Sequence, residues 1–109
     1  MHFLRLALGI LALASALEAQ AFVRNFPKDI QAGELQGIEA PYVRISGKTY
    51  PMAPGIKIRG TNNIIVPPGS LHSVAKIVFT LDLMGQVWGV WMVTPEEIDV
   101  LTQRGYRWK

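Results

Sequence analysis

Few residues in this chain are of a type that does chemistry, and their spacing assembles none of them into a recognisable set. Beyond the first twenty-one residues there is one histidine, His72, with Ser70 and Ser73 beside it. Catalytic serine and histidine are defined by their roles in space, and no nucleophile-elbow signature surrounds these serines. Glu96 and Glu97 are the nearest approach to a carboxylate pair, but neighbours on a helix point in different directions, and a helix cap accounts for both. The chain has no cysteine, which removes thiolate chemistry, disulfides and lipid attachment at a lipobox. His72 with Asp82 or Glu39 is an incomplete metal set, since metal sites need several convergent ligands. Gly85-Gln86-Val87-Trp88-Gly89 lies within a hairpin pattern and lacks the strand-to-helix context of a phosphate-binding loop. The expectation is a protein without catalytic residues, metal or cofactor, and so not an enzyme.

Aromatic and basic side chains remain as candidates for recognition. Trp88, Tyr50, Tyr106, Arg107 and Trp108 form the candidate contact surface, with Tyr42 able to extend it. Aromatic anchors dominate many interfaces, and sugars are often held against exposed aromatic faces. Positive charge is otherwise spread singly along the chain, which argues against a nucleic-acid stripe. Only Arg104-Gly105-Tyr106-Arg107-Trp108-Lys109 concentrates it.

The segment from Met1 to Ala21 supplies an address. Arg5 gives a positive start, Leu6 to Leu17 an apolar run, and Ala19-Gln20-Ala21 the small-x-small pattern of a cleavage site. Glu18 and Gln20 end the apolar run short of the roughly 20 residues that a spanning helix needs. Cleavage after Ala21 is expected, with Ala19 the neighbouring alternative, and no stable membrane insertion afterwards. Taking 21 from 109 residues leaves 88, enough for one small domain. Dropping Arg5 and Glu18 from eleven basic and eight acidic side chains leaves ten and seven, so the charge stays at +3. Without disulfides, a domain this small must bury a dense apolar set.

Residues 22–33 read as an extended leader containing Pro27, and residues 34–109 as the domain. Gly33 to Glu39 alternates between glycines as a strand with a bulge. Tyr42-Val43-Arg44-Ile45, Ser46-Gly47 and Lys48-Thr49-Tyr50 spell a tight hairpin. Pro51, Pro54 and Gly55 are expected to break the sheet before a short strand, Ile56 to Arg59. Ile64-Ile65-Val66 reads as a bridge between sheet edges, closed by Pro67-Pro68-Gly69. Ala75–Leu81 and Val87–Val93 form the strongest strand pair, turning at Asp82 to Gln86 with Gly85 left-handed. Regular pairing from that turn sets Leu81 opposite Val87, Phe79 opposite Gly89, Ile77 opposite Trp91 and Ala75 opposite Val93 on the core face. Thr80 with Trp88, Val78 with Val90 and Lys76 with Met92 then occupy the other face. This register makes Trp91 a core residue and leaves Trp88 either under a helix or open. Val93-Thr94-Pro95-Glu96-Glu97-Ile98 announces that helix, with a capping box, proline at its first turn and a hydrophobic staple. It should run over about 95–104 and close at Gly105. The sum is a mainly β fold: a small, curved, five- to six-stranded barrel-like sheet of oligonucleotide/oligosaccharide-binding (OB) type with one short C-terminal helix. A flatter sheet with the helix laid across it is the alternative.

The two hairpins, Val43-Arg44-Ile45-Ser46-Gly47-Lys48-Thr49-Tyr50 and Ala75-Lys76-Ile77-Val78-Phe79-Thr80-Leu81-Asp82-Leu83-Met84-Gly85-Gln86-Val87, resemble those of small secreted bacterial β-barrel proteins. That group includes small accessory proteins of type IV pilus biogenesis, and the resemblance covers about two thirds of the chain after Ala21. It implies a β-barrel of unknown biochemical activity and carries over no site residue. The functional expectation is a noncatalytic periplasmic interaction module with an envelope protein as partner. The alternative is a glycan- or small-ligand-binding domain of the envelope. Export argues against nucleic acid as the partner.

Overall fold

The computed structural model describes residues 23–71 and 73–109, so the expected signal peptide, Phe22 and the loop histidine His72 lie outside the described residues. Five strands, β1 (Gln31–Glu39), β2 (Tyr42–Ile45), β3 (Lys48–Arg59), β4 (Ala75–Leu81) and β5 (Val87–Met92), are followed by one helix, α1 (Pro95–Gln103). The strands close into a barrel in the order β1-β2-β3-β5-β4, with β4 returning to β1. All neighbours are antiparallel except β3 and β5. The mainly β, OB-like barrel expected from the sequence is therefore present, with five strands rather than six, and the flat-sheet alternative is not.

Closure depends on two strands that change partner along their length. β1 pairs with β4 through Gln31 to Leu35 and with β2 through Leu35 to Glu39. β3 pairs with β2 from Lys48 to Pro51 and then with β5 between Met52 and Arg59. This corrects the expectation that Pro51, Pro54 and Gly55 break the sheet. They fall where β3 leaves one partner for the other, and the ladder to β5 is irregular between Met52 and Lys57. A residue without an N–H is tolerated where the ladder is already interrupted.

The first hairpin turns at Ser46 and Gly47, with φ of 50° and 81°. Both central residues are left-handed, as the twist of a two-residue hairpin demands. The second turns through Asp82, whose Oδ1 accepts from the N–H groups of Met84 and Gln86 at 2.9 Å each. Ile65 makes an isolated bridge to Arg59 of β3 alone, so the segment read as a bridge between sheet edges pairs with a single strand of a closed barrel.

The register of the second hairpin departs from the regular pairing. Leu81 faces Val87 as expected, but Thr80 then faces Gly89, Phe79 faces Val90, Val78 faces Trp91 and Ile77 faces Met92. Trp88 is the extra residue of a β-bulge. A one-residue slip exchanges the two faces of a strand, so Val90 and Met92 join the barrel interior and Trp91 moves outside it. The expected pairs of Phe79 with Gly89 and Ile77 with Trp91 do not form.

Two cores result. Inside the barrel, Leu35, Val43, Ile45, Ile58, Ile77, Phe79, Val87 and Val90 are buried against one another. Outside it, Ile30, Val78, Val93 and Leu101 are buried with Phe26, Trp91, Ile98, Tyr106 and Trp108 around them. Gly89 lets this outer layer close down on the strand: a Cβ there would lie 2.8 Å from Thr80 Oγ1 and 2.9 Å from the Trp91 ring. The ring that Gly89 accommodates is thus that of Trp91.

Candidate functional site

Helix α1 starts as the sequence dictates. Thr94 Oγ1 accepts from the Glu97 N–H at 3.2 Å, and Glu97 Oε1 accepts from the Thr94 N–H at 2.9 Å, which completes the capping box. Val93 and Ile98 share the outer core, as a hydrophobic staple requires. At the other end, Gly105 with φ of 97° lets its N–H reach the Thr102 carbonyl and the Tyr106 N–H reach that of Leu101. This is the Schellman closure that glycine permits.

Glu97 does more than cap. It is fully buried and receives Arg24 from the leader: Nη2 to Oε1 at 2.8 Å, Nε to Oε2 at 2.9 Å, and the Arg24 N–H to Oε2 at 3.2 Å. The same guanidinium donates to the carbonyls of Gly60 at 2.9 Å and Met92 at 2.6 Å, and lies 5.2 Å above the Phe26 ring. Phe26 in turn meets Trp91 edge-on at 6.1 Å. Burial raises the carboxyl pKa. Arg24's hydrogen bond, aided by the Thr94 backbone, outweighs that and holds Glu97 below its ordinary 4.5. The leader, read as an extended segment, is therefore pinned by one residue to the helix, to the loop after β3 and to the end of β5. No local signal announces a partner 73 positions away. The capping box alone marks Glu97 as more than a surface carboxylate.

The five candidate contact residues are placed in different surroundings. Tyr50 turns toward the barrel interior, with its ring 5.6 Å from that of Phe79. Tyr106 and Trp108 pack at the margin of the outer core, and Trp108 Nε1 donates to Thr102 Oγ1 at 3.0 Å. Arg107 is exposed on the tail between them. Trp88 stays 41% exposed, because α1 covers Val78 and Trp91 instead. The β4–β5 tip next to it carries Leu83 and Met84, both almost entirely exposed. Trp88 and this tip are exposed apolar side chains of one hairpin, whereas Tyr50 is turned toward the interior.

A second bulge lies in β1. Leu35 faces Ile45 and Gly37 faces Arg44, so Gln36 is the extra residue. Its Oε1 accepts from the Gly47 N–H at 2.8 Å and from Arg44 Nε at 3.3 Å. Sequence reading suggested a bulge in this strand but not that it would help to shape a groove of about 310 Å3 along β1, β2 and the start of β3. Bulges re-aim side chains. Here they set the exposed Trp88 and the groove residue Gln36.

Among the described residues there is no group of three or more histidine, cysteine, aspartate or glutamate side chains placed to hold a metal ion, and no helix long and apolar enough to cross a membrane. Fold and site define a small closed β-barrel braced by a terminal helix, with an open tryptophan on a bulge. Compared with family models, curated proteins and solved structures, the chain matches none.

Proposed function

We propose that this chain is a noncatalytic interaction module of the periplasm that serves assembly of an envelope structure such as a type IV pilus. It offers Trp88 and the Leu83-Met84 tip to a protein partner. The observation that carries the reading is the exposure of Trp88 on its bulge, beside a hairpin tip that nothing in the barrel covers. Tryptophan is enriched among interface anchors, and exposed apolar patches mark contact sites. Glu97, the buried carboxylate, is occupied by Arg24 and the helix cap, which fits a structural rather than a proton-transfer role for that residue. Export rests on the signal-peptide pattern of Met1 to Ala21, and the pilus assignment on the resemblance of the two hairpins.

The test is complementation of a deletion strain with the wild-type protein and with Trp88→Ala. The wild type should accumulate in the periplasm with an intact mass beginning at Phe22 and restore surface pili. Trp88→Ala should accumulate to the same level, melt cooperatively and fail to restore them, with partner binding weakened by about 2 kcal/mol or more. Normal piliation in the deletion strain would refute the pilus role, and full rescue by Trp88→Ala would refute the contact surface.

A further inference from the structure

We propose that the groove on the outer face of β1, β2 and β3 is a binding site for a neutral oligosaccharide, distinct from the Trp88 hairpin. The bulge at Gln36 throws Gln36 and Gly37 to the outside together, and a Cβ at Gly37 would meet nothing within 4 Å, so this part of the face is open. Around it stand Glu39, Tyr42, Arg44 and Thr49. Their positions follow from the ladders: Glu39 faces Tyr42, Gly37 faces Arg44, and Arg44 faces Thr49. A volume of about 310 Å3 lies at the lower end of the range for ligand sites, room for roughly one or two pyranose rings.

The chemistry of these side chains selects the ligand. Tyr42 is 52% exposed, and an exposed phenol ring can stack on the apolar C–H face of a sugar. Glu39 presents a carboxylate that accepts from two neighbouring hydroxyls. Arg44 is bound to Gln36 through Nε, leaving its terminal nitrogens to donate to sugar oxygens. Among the described residues the ion pair is Arg24 with Glu97, so Glu39 and Arg44 keep their hydrogen-bonding capacity although they line one groove. One positive and one negative group lining the same groove favour neither an anion nor a cation, whereas a hydroxyl-rich neutral molecule satisfies both. An extended peptide would gain affinity from a free sheet edge. The ladders from β1 to β2 and from β2 to β3 are both paired, which removes that mode here.

The experiment is an amide NMR titration of the purified exported protein with N,N′-diacetylchitobiose, with cellobiose, and with trialanine as a peptide control. Saturable shifts at Gly37, Tyr42 and Arg44 with a millimolar dissociation constant for at least one disaccharide, and none with trialanine, are expected. Tyr42→Ala and Glu39→Gln should each weaken that binding about tenfold or more while leaving amide positions in β4 and β5 unchanged. The proposal is overturned if neither disaccharide saturates the groove, if trialanine shifts the same amides, if the shifts fall at Trp88, or if Tyr42→Ala binds undiminished. Trp88→Ala should bind sugar like the wild type, so failure here and failure of the protein-contact reading are read separately.

Discussion

The inside of the barrel and the layer outside it bury side chains by different physics. The interior is almost wholly aliphatic and closes on itself through alternation along the strands. The outer layer joins pieces distant in sequence, Phe26 and Ile30 of the leader, Val78 and Trp91 of the sheet, Leu101 of the helix and Trp108 of the tail. It is also held by a buried ion pair, Arg24 with Glu97. An aliphatic core gains by removing apolar area from water and loses locally when a side chain is cut. A layer pinned by a charge depends on one partner, because Glu97 without Arg24 is a carboxylate out of water with too few donors. Robustness and switchability are thus divided between the two regions.

The sharpest contrast is a pair of truncations. Ile77→Ala, at a fully buried interior position, should cost about 4 kcal/mol in urea denaturation, as large cavities in aliphatic cores do. Its loss should be nearly independent of pH. Arg24→Ala should cost about 3 kcal/mol at neutral pH, although Arg24 lies on no strand or helix. If Arg24→Ala costs well under 1 kcal/mol at neutral pH, the leader is not pinned as described.

The same pair differs in acid. The Glu97 pKa is lower in the folded protein than its ordinary 4.5, so its contribution is fully present above that value and is lost as the pH falls through the folded pKa. Wild-type stability should decline in that acid window, and the decline should be shallower in Arg24→Ala. Denaturant midpoints measured from neutral pH into acid give the answer, and parallel curves would remove Glu97 from the account.

Smaller changes probe the edge between the regions. Thr94→Ala removes the oxygen that accepts from the Glu97 N–H and should cost about 1 kcal/mol. An unchanged midpoint would mean that the side-chain half of the capping box contributes nothing beyond Arg24 and the backbone N–H of residue 94. Thr80 is fully buried, and its Oγ1 has no hydrogen-bond partner among the described residues, beneath the outer layer beside Gly89. Thr80→Val keeps the shape and removes the unpaired hydroxyl, so it should raise stability by about 0.5 kcal/mol. A loss of stability would show that the hydroxyl is in use.

Wherever the signal is local, residues alone were enough. The Ser46-Gly47 turn, the Asp82 to Gln86 turn, the capping box at Thr94 and the Gly105 closure each depend on a few adjacent residues, and each forms where the pattern sets it. The barrel interior of β1, β2 and β4 follows from alternation for the same reason. Trp91 shows where this stops: nothing in Val87 to Met92 marks Trp88 as the inserted residue, and a single insertion reverses every side chain beyond it. The candidate contact set dispersed on the same ground, since Tyr50 and Trp88 were compared by type and chain position while burial depends on which face of which strand each occupies.

Amino-acid order by itself determined the turns, the helix ends and the two-period of the strands. Only the tertiary structure decided that the sheet closes, that Pro51 and Pro54 sit at a change of partner, that Arg24 reaches Glu97, and that Trp88 rather than Trp91 stays open. The physical reason is range. Caps and turns are stabilised by hydrogen bonds within a few residues, whereas barrel closure, bulge position and a buried charge pair take their energy from groups that meet only after the whole chain has folded.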